Sequence, residues 1–283
     1  MISKGIIFIL IATFAFAIMN ATAKELSDFH PMQVVFFRAF GTFFFIFPTM
    51  LLRKIPIIGN NPKYLFLRGL VGVISLATFF MALQKIPLGS AISIRYLGPI
   101  FGVMMAAYFL KEKVKGLQWL SFFIAFSGVI VLKGFDLRID SVSLGLLLIS
   151  ALFLGMVLVL IRYLTDKEHY LTIINYFMVV TIAVSLFFIN HWRMPVGNEW
   201  FPVVGIGILG LIGQVFMTRA FQTEDTSMLA PFKYMELVWA LIMGYFLFGE
   251  TYSWLPFLGI VLIIMGMMLN VYAKNRKPKK QLD

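Results

Sequence analysis

The sequence predicts an all-α integral membrane protein, with ten transmembrane helices arranged as two inverted five-helix repeats. Three observations predict it. Apolar residues make up 60% of the chain and charged residues only 13%, whereas a soluble domain carries roughly a quarter charged residues. The apolar segments are continuous runs long enough to cross a bilayer, unlike the alternating ten-residue segments of a membrane barrel. The second half also repeats the first at a constant offset of 138 residues, the mark of a duplicated unit.

The first five spans are expected at about Lys4–Thr22, Met32–Leu52, Tyr64–Gln84, Ser90–Leu110 and Leu117–Leu132. The second five are expected at about Ser143–Tyr163, Tyr170–Asn190, Phe201–Phe221, Ser227–Phe248 and Leu255–Tyr272. The fifth is short, and Pro48, Pro56 and Pro62 blur the end of the second. Ten spans of about 20 residues leave no room for a folded soluble domain. The amino-terminal run has the apolar core of a signal peptide, but no small-residue cleavage site precedes a soluble domain, so it reads as a retained first helix.

The repeat pairs Lys24 with Arg162, Ala82 with Ala220, Gln84 with Gln222, and Arg95-Tyr96 with Lys233-Tyr234. It also pairs Glu112 with Glu250 and Gly128 with Gly266. The units are expected at residues 1–135 and 139–273, followed by a basic tail at 274–283. An odd number of helices per unit forces the two copies into opposite orientations. With the amino terminus cytoplasmic, the inner segments hold fifteen Lys and Arg, among them Arg68, and the outer segments five. The loop KEKVKG after the fourth span is basic, and its partner GETYSW after the ninth has no Lys or Arg. The positive-inside rule therefore favours inverted repeats with both termini cytoplasmic. The formal charge of +11 is explained mostly by these flanks and needs no nucleic acid.

Absent cysteine excludes disulfides, thiolate nucleophiles and cysteine metal sites. No GxxxxGK[ST] phosphate loop is present. His30, His169 and His191 fall near loops without metal-ligand spacing, and no nucleophile–base pair is apparent in the spans. No enzymatic activity and no cofactor are expected.

Four basic residues, Arg38, Arg95, Arg219 and Lys233, lie within or at the ends of spans. A charge at the centre of a spanning helix costs about 2.5–3.5 kcal/mol on insertion scales, so such groups mark functional sites. Lys233 and Glu236 share a helix face with Ala240 and Gly244. Two readings stand: an internal ion pair that fixes packing, or a site where Glu236 takes a cationic group or a proton and Lys233 or Arg95 takes a carboxylate. Arg95 has Gly98 where Glu236 stands in the other repeat, so its expected partner is Glu236 itself. Snorkelling of Arg95 to the outer interface is the bland alternative. Arg38 is read as snorkelling outward or meeting lipid phosphate rather than solute.

Gly98, Gly102 and Ala106 form a small-residue stripe matching Glu236, Ala240 and Gly244, and suggest that the fourth and ninth spans meet near the pseudo-two-fold axis. Pro99 and Pro231 predict irregular backbone beside the charged groups of both halves, which points to a solute site. Asn20, Gln84, Gln214 and Gln222 are polar groups in or near spans, and Tyr96, Tyr234 and Trp239 are candidate walls. Glu112 and Glu250 are expected to cap neighbouring helix amino termini rather than touch solute.

Taken with these features, PMQVVFFRAFGTFFF, IPLGSAISIRYLGPIFGVMMAAYFLKEKV and LAPFKYMELVWALIMGYFLFGE resemble EamA-type members of the drug/metabolite transporter superfamily over nearly the whole chain. The resemblance implies secondary transport of small organic solutes in a plasma membrane, the inner membrane of a bacterium, as a monomer or homodimer. It also implies a central cavity lined mainly by the first, third, fourth, sixth, eighth and ninth spans. The segment Ala230–Val238 is also similar to that of bacterial S-adenosylmethionine uptake transporters. The expected activity is efflux of an amino-acid-like or amphipathic solute, with proton coupling resting on Glu236 alone. The alternatives are uptake of S-adenosylmethionine or a nucleoside-like compound, and a channel or non-transporting membrane protein. The expected substrate-binding residues are Arg95, Tyr96, Lys233, Tyr234, Glu236, Trp239, Asn20, Gln84 and Gln214.

Overall fold

A computed structural model of the protein describes residues 3–110, 114, 116–164, 167–223, 229 and 232–275. Local chemistry sets many of the helix ends. α1 (Lys4–Glu25) starts where the Ser3 hydroxyl accepts the Ile6 N–H, and α2 (Pro31–Leu52) and α3 (Pro62–Leu83) start with proline, whose missing donor is no loss in a first turn. α4 (Leu88–Arg95) and α5 (Gly98–Leu110) follow, then α6 (Gly116–Phe135). α7 (Ser141–Leu164) begins where Asp140 Oδ1 accepts the N–H groups of Val142 and Ser143, both at 2.9 Å. The chain continues through α8 (Tyr170–Leu186), α9 (Trp200–Thr223), α10 (Met235–Phe248) and α11 (Trp254–Asn275). α10 stops at Gly249, whose φ of 62° and ψ of 24° place it in the left-handed region that a side chain would strain.

Among the described residues, eight helical spans are long and apolar enough to cross a membrane, with α4 and α5 forming one of them. Two shorter apolar helices, Tyr170–Leu186 and Met235–Phe248, complete ten spans. The fifth is not short: α6 runs for 20 residues. Near Pro99 the chain breaks rather than kinks. α4 ends at Arg95, Tyr96 and Leu97 form a turn, and Pro99 lies in the first turn of α5. The second half breaks at the matching place, where Tyr234 is a turn between Lys233 and Met235. Pro231, Glu112 and the side chains of Ala106 and Gln222 lie outside the described residues.

Packing follows the same symmetry. α1 packs on α9 as α3 packs on α7, and α2 meets α9 as α8 meets α3. α6 and α11 form a self-complementary pair. A Cβ added at Gly128 would lie 2.7 Å from Gly259 O and Ile263 N, and one added at Gly266 would lie 2.6 Å from Ala125 N and 2.7 Å from Ser121 O. These contacts exchange at the 138-residue offset. Bare backbone lets the helices approach where lipid offers no hydrophobic drive for association. The stripe of α5 behaves differently from expectation. Gly98 faces Leu154, and Gly102 faces Gly155, both on α7. The fourth and ninth spans do meet, but through α4 and α10, because the break turns α5 away from α4.

Carboxylates tie each end of the bundle. At one end Glu250 accepts the Leu88 N–H at 3.0 and 2.9 Å and pairs with Lys24 Nζ at 2.6 Å, capping α4 as expected. Lys24 Nζ also donates to Ile86 O at 2.5 Å. Nearby, the Tyr252 hydroxyl accepts from Ser90 N at 3.2 Å, and burial beside Glu250 pushes its pKa up to about 12, so it stays protonated. At the other end Glu168 accepts N–H groups of Asn60 and Asn61 and so gathers the loop between α2 and α3.

Gly128→Ala and Gly266→Ala should each push α6 from α11 and destabilise the protein by about 1–3 kcal/mol, as overpacking does. Gly145, with nothing within 4 Å of an added Cβ, is the control. Thermal unfolding in detergent should separate the two kinds of variant, and equal midpoints would refute the packing account.

Candidate functional site

The break in α4 and the start of α10 bring the two halves together. Tyr96 and Tyr234, equivalent by the repeat, touch edge to face with ring centroids 5.4 Å apart. Equivalent residues in contact mark the pseudo-two-fold axis. Glu236 stands beside them in the first turn of α10, where the helix dipole favours a carboxylate. Asn20 of α1 donates from Nδ2 to Glu236 Oε1 at 3.0 Å. The Tyr96 hydroxyl lies 3.0 Å from Glu236 Oε2 and 2.9 Å from the Lys233 carbonyl oxygen. Two acceptors therefore compete for one phenolic proton.

That geometry suits two protonation states. With Glu236 ionised, Tyr96 donates to the carboxylate. With Glu236 protonated, the acid proton has Tyr96 oxygen as its acceptor, and Tyr96 can turn its own proton to Lys233 O. Each state keeps Glu236 hydrogen-bonded without water.

Neither expected ion pair forms. The ion pairs among the described residues are Lys24–Glu250, Arg138–Asp136 and Arg193–Glu199, and none includes Glu236. Arg95 lies instead with its guanidinium 4.1 Å from the Phe79 ring centroid, and its Nε has no acceptor among the described residues. Consecutive helical residues point about 100° apart, so when Tyr96 takes Glu236, Arg95 must point elsewhere. Arg95 and Lys233 remain close enough for Glu236 to feel the charge of both. They neutralise it in part without being consumed by it.

Trp239 packs edge to face on Phe14 at 5.2 Å, one turn beyond Glu236, and its indole Nε1 has no acceptor among the described residues. Gln84 lies apart from this cluster. Its amide donates to Leu26 O at 3.1 Å and Phe29 O at 3.3 Å, tying α3 to the turn after α1. Gln214 is half-buried on α9, and its backbone carbonyl accepts the Thr218 hydroxyl at 2.8 Å. The structure thus joins Asn20, Tyr96, Lys233, Tyr234 and Glu236, with Arg95 and Trp239 beside them, and does not join Gln84.

Two cations differ from expectation. Arg38 is 6% exposed, so it neither snorkels nor reaches lipid: Nε donates to Met19 Sδ at 3.2 Å, and the guanidinium lies 5.9 Å from the Phe177 ring centroid. Arg68, counted above as a cytoplasmic flank, is 5% exposed and lies 4.2 Å from the same ring. Its place seven residues into a helix that starts at Pro62 was the overlooked signal.

Known proteins resemble the chain throughout its length. The EamA-like transporter family matches residues 3–133 and, a second time, residues 142–272. A pseudopaline exporter of Pseudomonas aeruginosa is 31% identical over 272 residues, covering 94% of this chain and 95% of the exporter. An S-adenosylmethionine uptake transporter of Rickettsia prowazekii is 25% identical over 276 residues, covering 96% of this chain and 94% of the transporter. A protein crystal structure superposes with a TM-score of 0.66 at 18% identity, covering 95% of this chain and 96% of its own, which establishes a common fold.

If Tyr96 and Glu236 interact as described, Tyr96→Phe and Glu236→Gln should be non-additive in a double-mutant cycle. A coupling of about 1 kcal/mol or more is expected for residues sharing a hydrogen bond. Additive losses in thermal or denaturant stability would show that the contact is not made.

Proposed function

The chain belongs to the EamA-like transporter family of membrane carriers of small metabolites, and from that premise we propose that it exports an amphipathic solute with an amino-acid head. The observation that carries this reading is the position of Glu236 of the second half, held by Asn20 and Tyr96 of the first half in reach of two uncommitted cations. Glu236 takes the amine, Arg95 and Lys233 take the carboxylate, and the Trp239 indole offers a donor or an apolar wall. The two broken helices, meeting at Tyr96 and Tyr234, are the fulcrum about which the halves rock to expose the site on alternate sides.

Export is favoured by the similarity to the pseudopaline exporter; the Rickettsia relative and the Ala230–Val238 segment support the second reading, uptake of S-adenosylmethionine. Both solute classes would use the same cluster. Proton coupling follows from the two hydrogen-bonding states of Glu236: solute amine and proton compete for one carboxylate, so binding one releases the other. The proposed topology places both termini in the cytoplasm. Moving Arg68 from flank to interior leaves the basic contrast between inner and outer segments in place.

A thermal-shift screen of purified protein against amino acids, nucleosides and S-adenosylmethionine tests the site. A ligand at a hundred times its Kd stabilises by about 2.7 kcal/mol. The expected hit bears both amine and carboxylate, and its effect is weakened but not lost in Glu236→Gln, whose amide oxygen still accepts from the amine. In proteoliposomes loaded with that hit, Glu236→Gln should abolish flux driven by a pH gradient while leaving solute counterflow; unchanged pH-driven flux would refute the coupling. Because the chain contains no cysteine, single-cysteine variants read topology cleanly. In intact cells an impermeant maleimide should label Val196→Cys and spare Ile58→Cys, both exposed positions; the reverse pattern would invert the proposed orientation.

A further inference from the structure

Arg38 and Arg68 form a second cluster that the solute head leaves unused. They come from different helices, α2 and α3, yet both face Phe177 of α8, at 5.9 and 4.2 Å. Glycines make room for them. A Cβ at Gly72 would stand 2.8 Å from Arg68 Nη1 and 2.8 Å from Phe177 Cε2, and one at Gly210 would stand 3.3 Å from Arg38 Cγ. Both side chains are more than nine-tenths buried. Arg38 Nη1, Arg68 Nε and Arg68 Nη1 have no acceptor among the described residues, and neither arginine meets a described carboxylate. Arg38 also feels the charge of Arg95 and of Arg68, so the pair continues a line of cations from the Glu236 cluster.

A guanidinium held in a span without acid is costly, and removal of buried unpaired charge commonly stabilises a protein. Within the described spans the interior therefore carries Arg38, Arg68, Arg95 and Lys233 against one acid, Glu236; the buried Asp136 and Glu250 lie at span ends, each with a cation of its own. Packing alone does not ask for this, since an apolar side chain would fill the same volume against Phe177. A planar, five-donor fork is suited to an acidic group that accepts two parallel hydrogen bonds.

We propose that Arg38 and Arg68, bracing Phe177, are an anion subsite, so that the solute carries at least two acidic groups. One is met by Arg95 and Lys233 beside Glu236, and the other by the Arg38–Arg68 pair. The proposal rests on the Glu236 cluster being the solute site and narrows the class from amino-acid-headed solutes to those with a second carboxylate or phosphate.

Purified full-length protein is titrated with L-alanine, L-aspartate, tricarballylate and inorganic phosphate, with affinity and thermal midpoint read in detergent. Aspartate should bind at least tenfold more tightly than alanine, which shares its amine and first carboxylate; tricarballylate, which lacks the amine, reads the anion groups apart from Glu236. Arg38→Met and Arg68→Met should each weaken aspartate and tricarballylate at least tenfold while leaving alanine within threefold. The ligand-free midpoint of both variants should equal or exceed that of the wild type, because an unpaired buried charge is gone; a purely structural arginine would lower it. Arg38→Lys and Arg68→Lys keep the charge without the fork, and should recover part of the aspartate affinity. If phosphate competes with tricarballylate in wild type and not in the Met variants, the subsite recognises either acid. Wild-type affinity for the polycarboxylates in the Met variants would overturn the proposal, as would alanine binding as tightly as aspartate, or no polyanion binding at all. Alanine binding weakened only in Glu236→Gln would then leave the head-group site standing without the second subsite. Nanodiscs with and without phosphatidylglycerol supply the last arm. Stabilisation by that lipid that depends on Arg38 and Arg68, with no response to tricarballylate, would assign the pair to a headgroup and overturn a solute role.

Discussion

A carboxylate inside a bilayer must take its hydrogen bonds from protein, because hydrocarbon supplies none. Glu236 takes one from Asn20 on α1 and one from Tyr96 at the end of α4. Much of the surrounding architecture can be read as serving that requirement. Tyr96 caps α4 in helical conformation, its N–H still on Ile92 O, and its hydroxyl reaches across the axis to Glu236. The break before α10 puts Glu236 in a first turn, where the helix end is positive.

Rigid contacts surround this adaptable centre. The backbone-to-backbone approach of α6 and α11 at Gly128 and Gly266, and of α2 and α9 at Gly41 and Gly207, leaves little space for sliding. Reciprocal hydroxyl bonds between Ser75 and Ser150, at 2.9 and 2.7 Å to each other's carbonyls, pin α3 to α7. The centre differs in kind: two tyrosine rings in edge contact, one shared proton and several unsatisfied donors. Groups of that sort can exchange partners at small cost, which glycine-packed helices cannot.

How much of this was legible in the residues depends on the scale. Ten spans and the repeat could be read directly, because apolar length and a constant offset are one-dimensional signals. Asn20, Tyr96 and Glu236 were recognisable as polar groups where a span admits few. Their mutual bonds were not, since Asn20 and Glu236 are 216 positions apart in sequence. The partner of the Gly98 stripe was misread for a physical reason: small residues say that something comes close, not which helix does. Arg68 was missed because a basic residue six places after a proline looks like a membrane flank, and only the depth of α3 reveals it as interior. Arg95 lost its expected ion pair to its neighbour, since adjacent residues on a helix cannot both face one acceptor.

The replacement of Gly98 by Glu236 across the axis has a consequence for how such a molecule can exist. Two separate five-helix chains of identical sequence, inserted in opposite directions, would present the same residue at both positions: two glutamates or two glycines. Only once the two copies differ in sequence can a single carboxylate stand on one side of the Tyr96–Tyr234 contact. The duplicated scaffold is symmetric, yet its centre has a handedness of charge. On the proposed site, a solute with unlike ends would enter in one orientation, which two identical copies could not enforce.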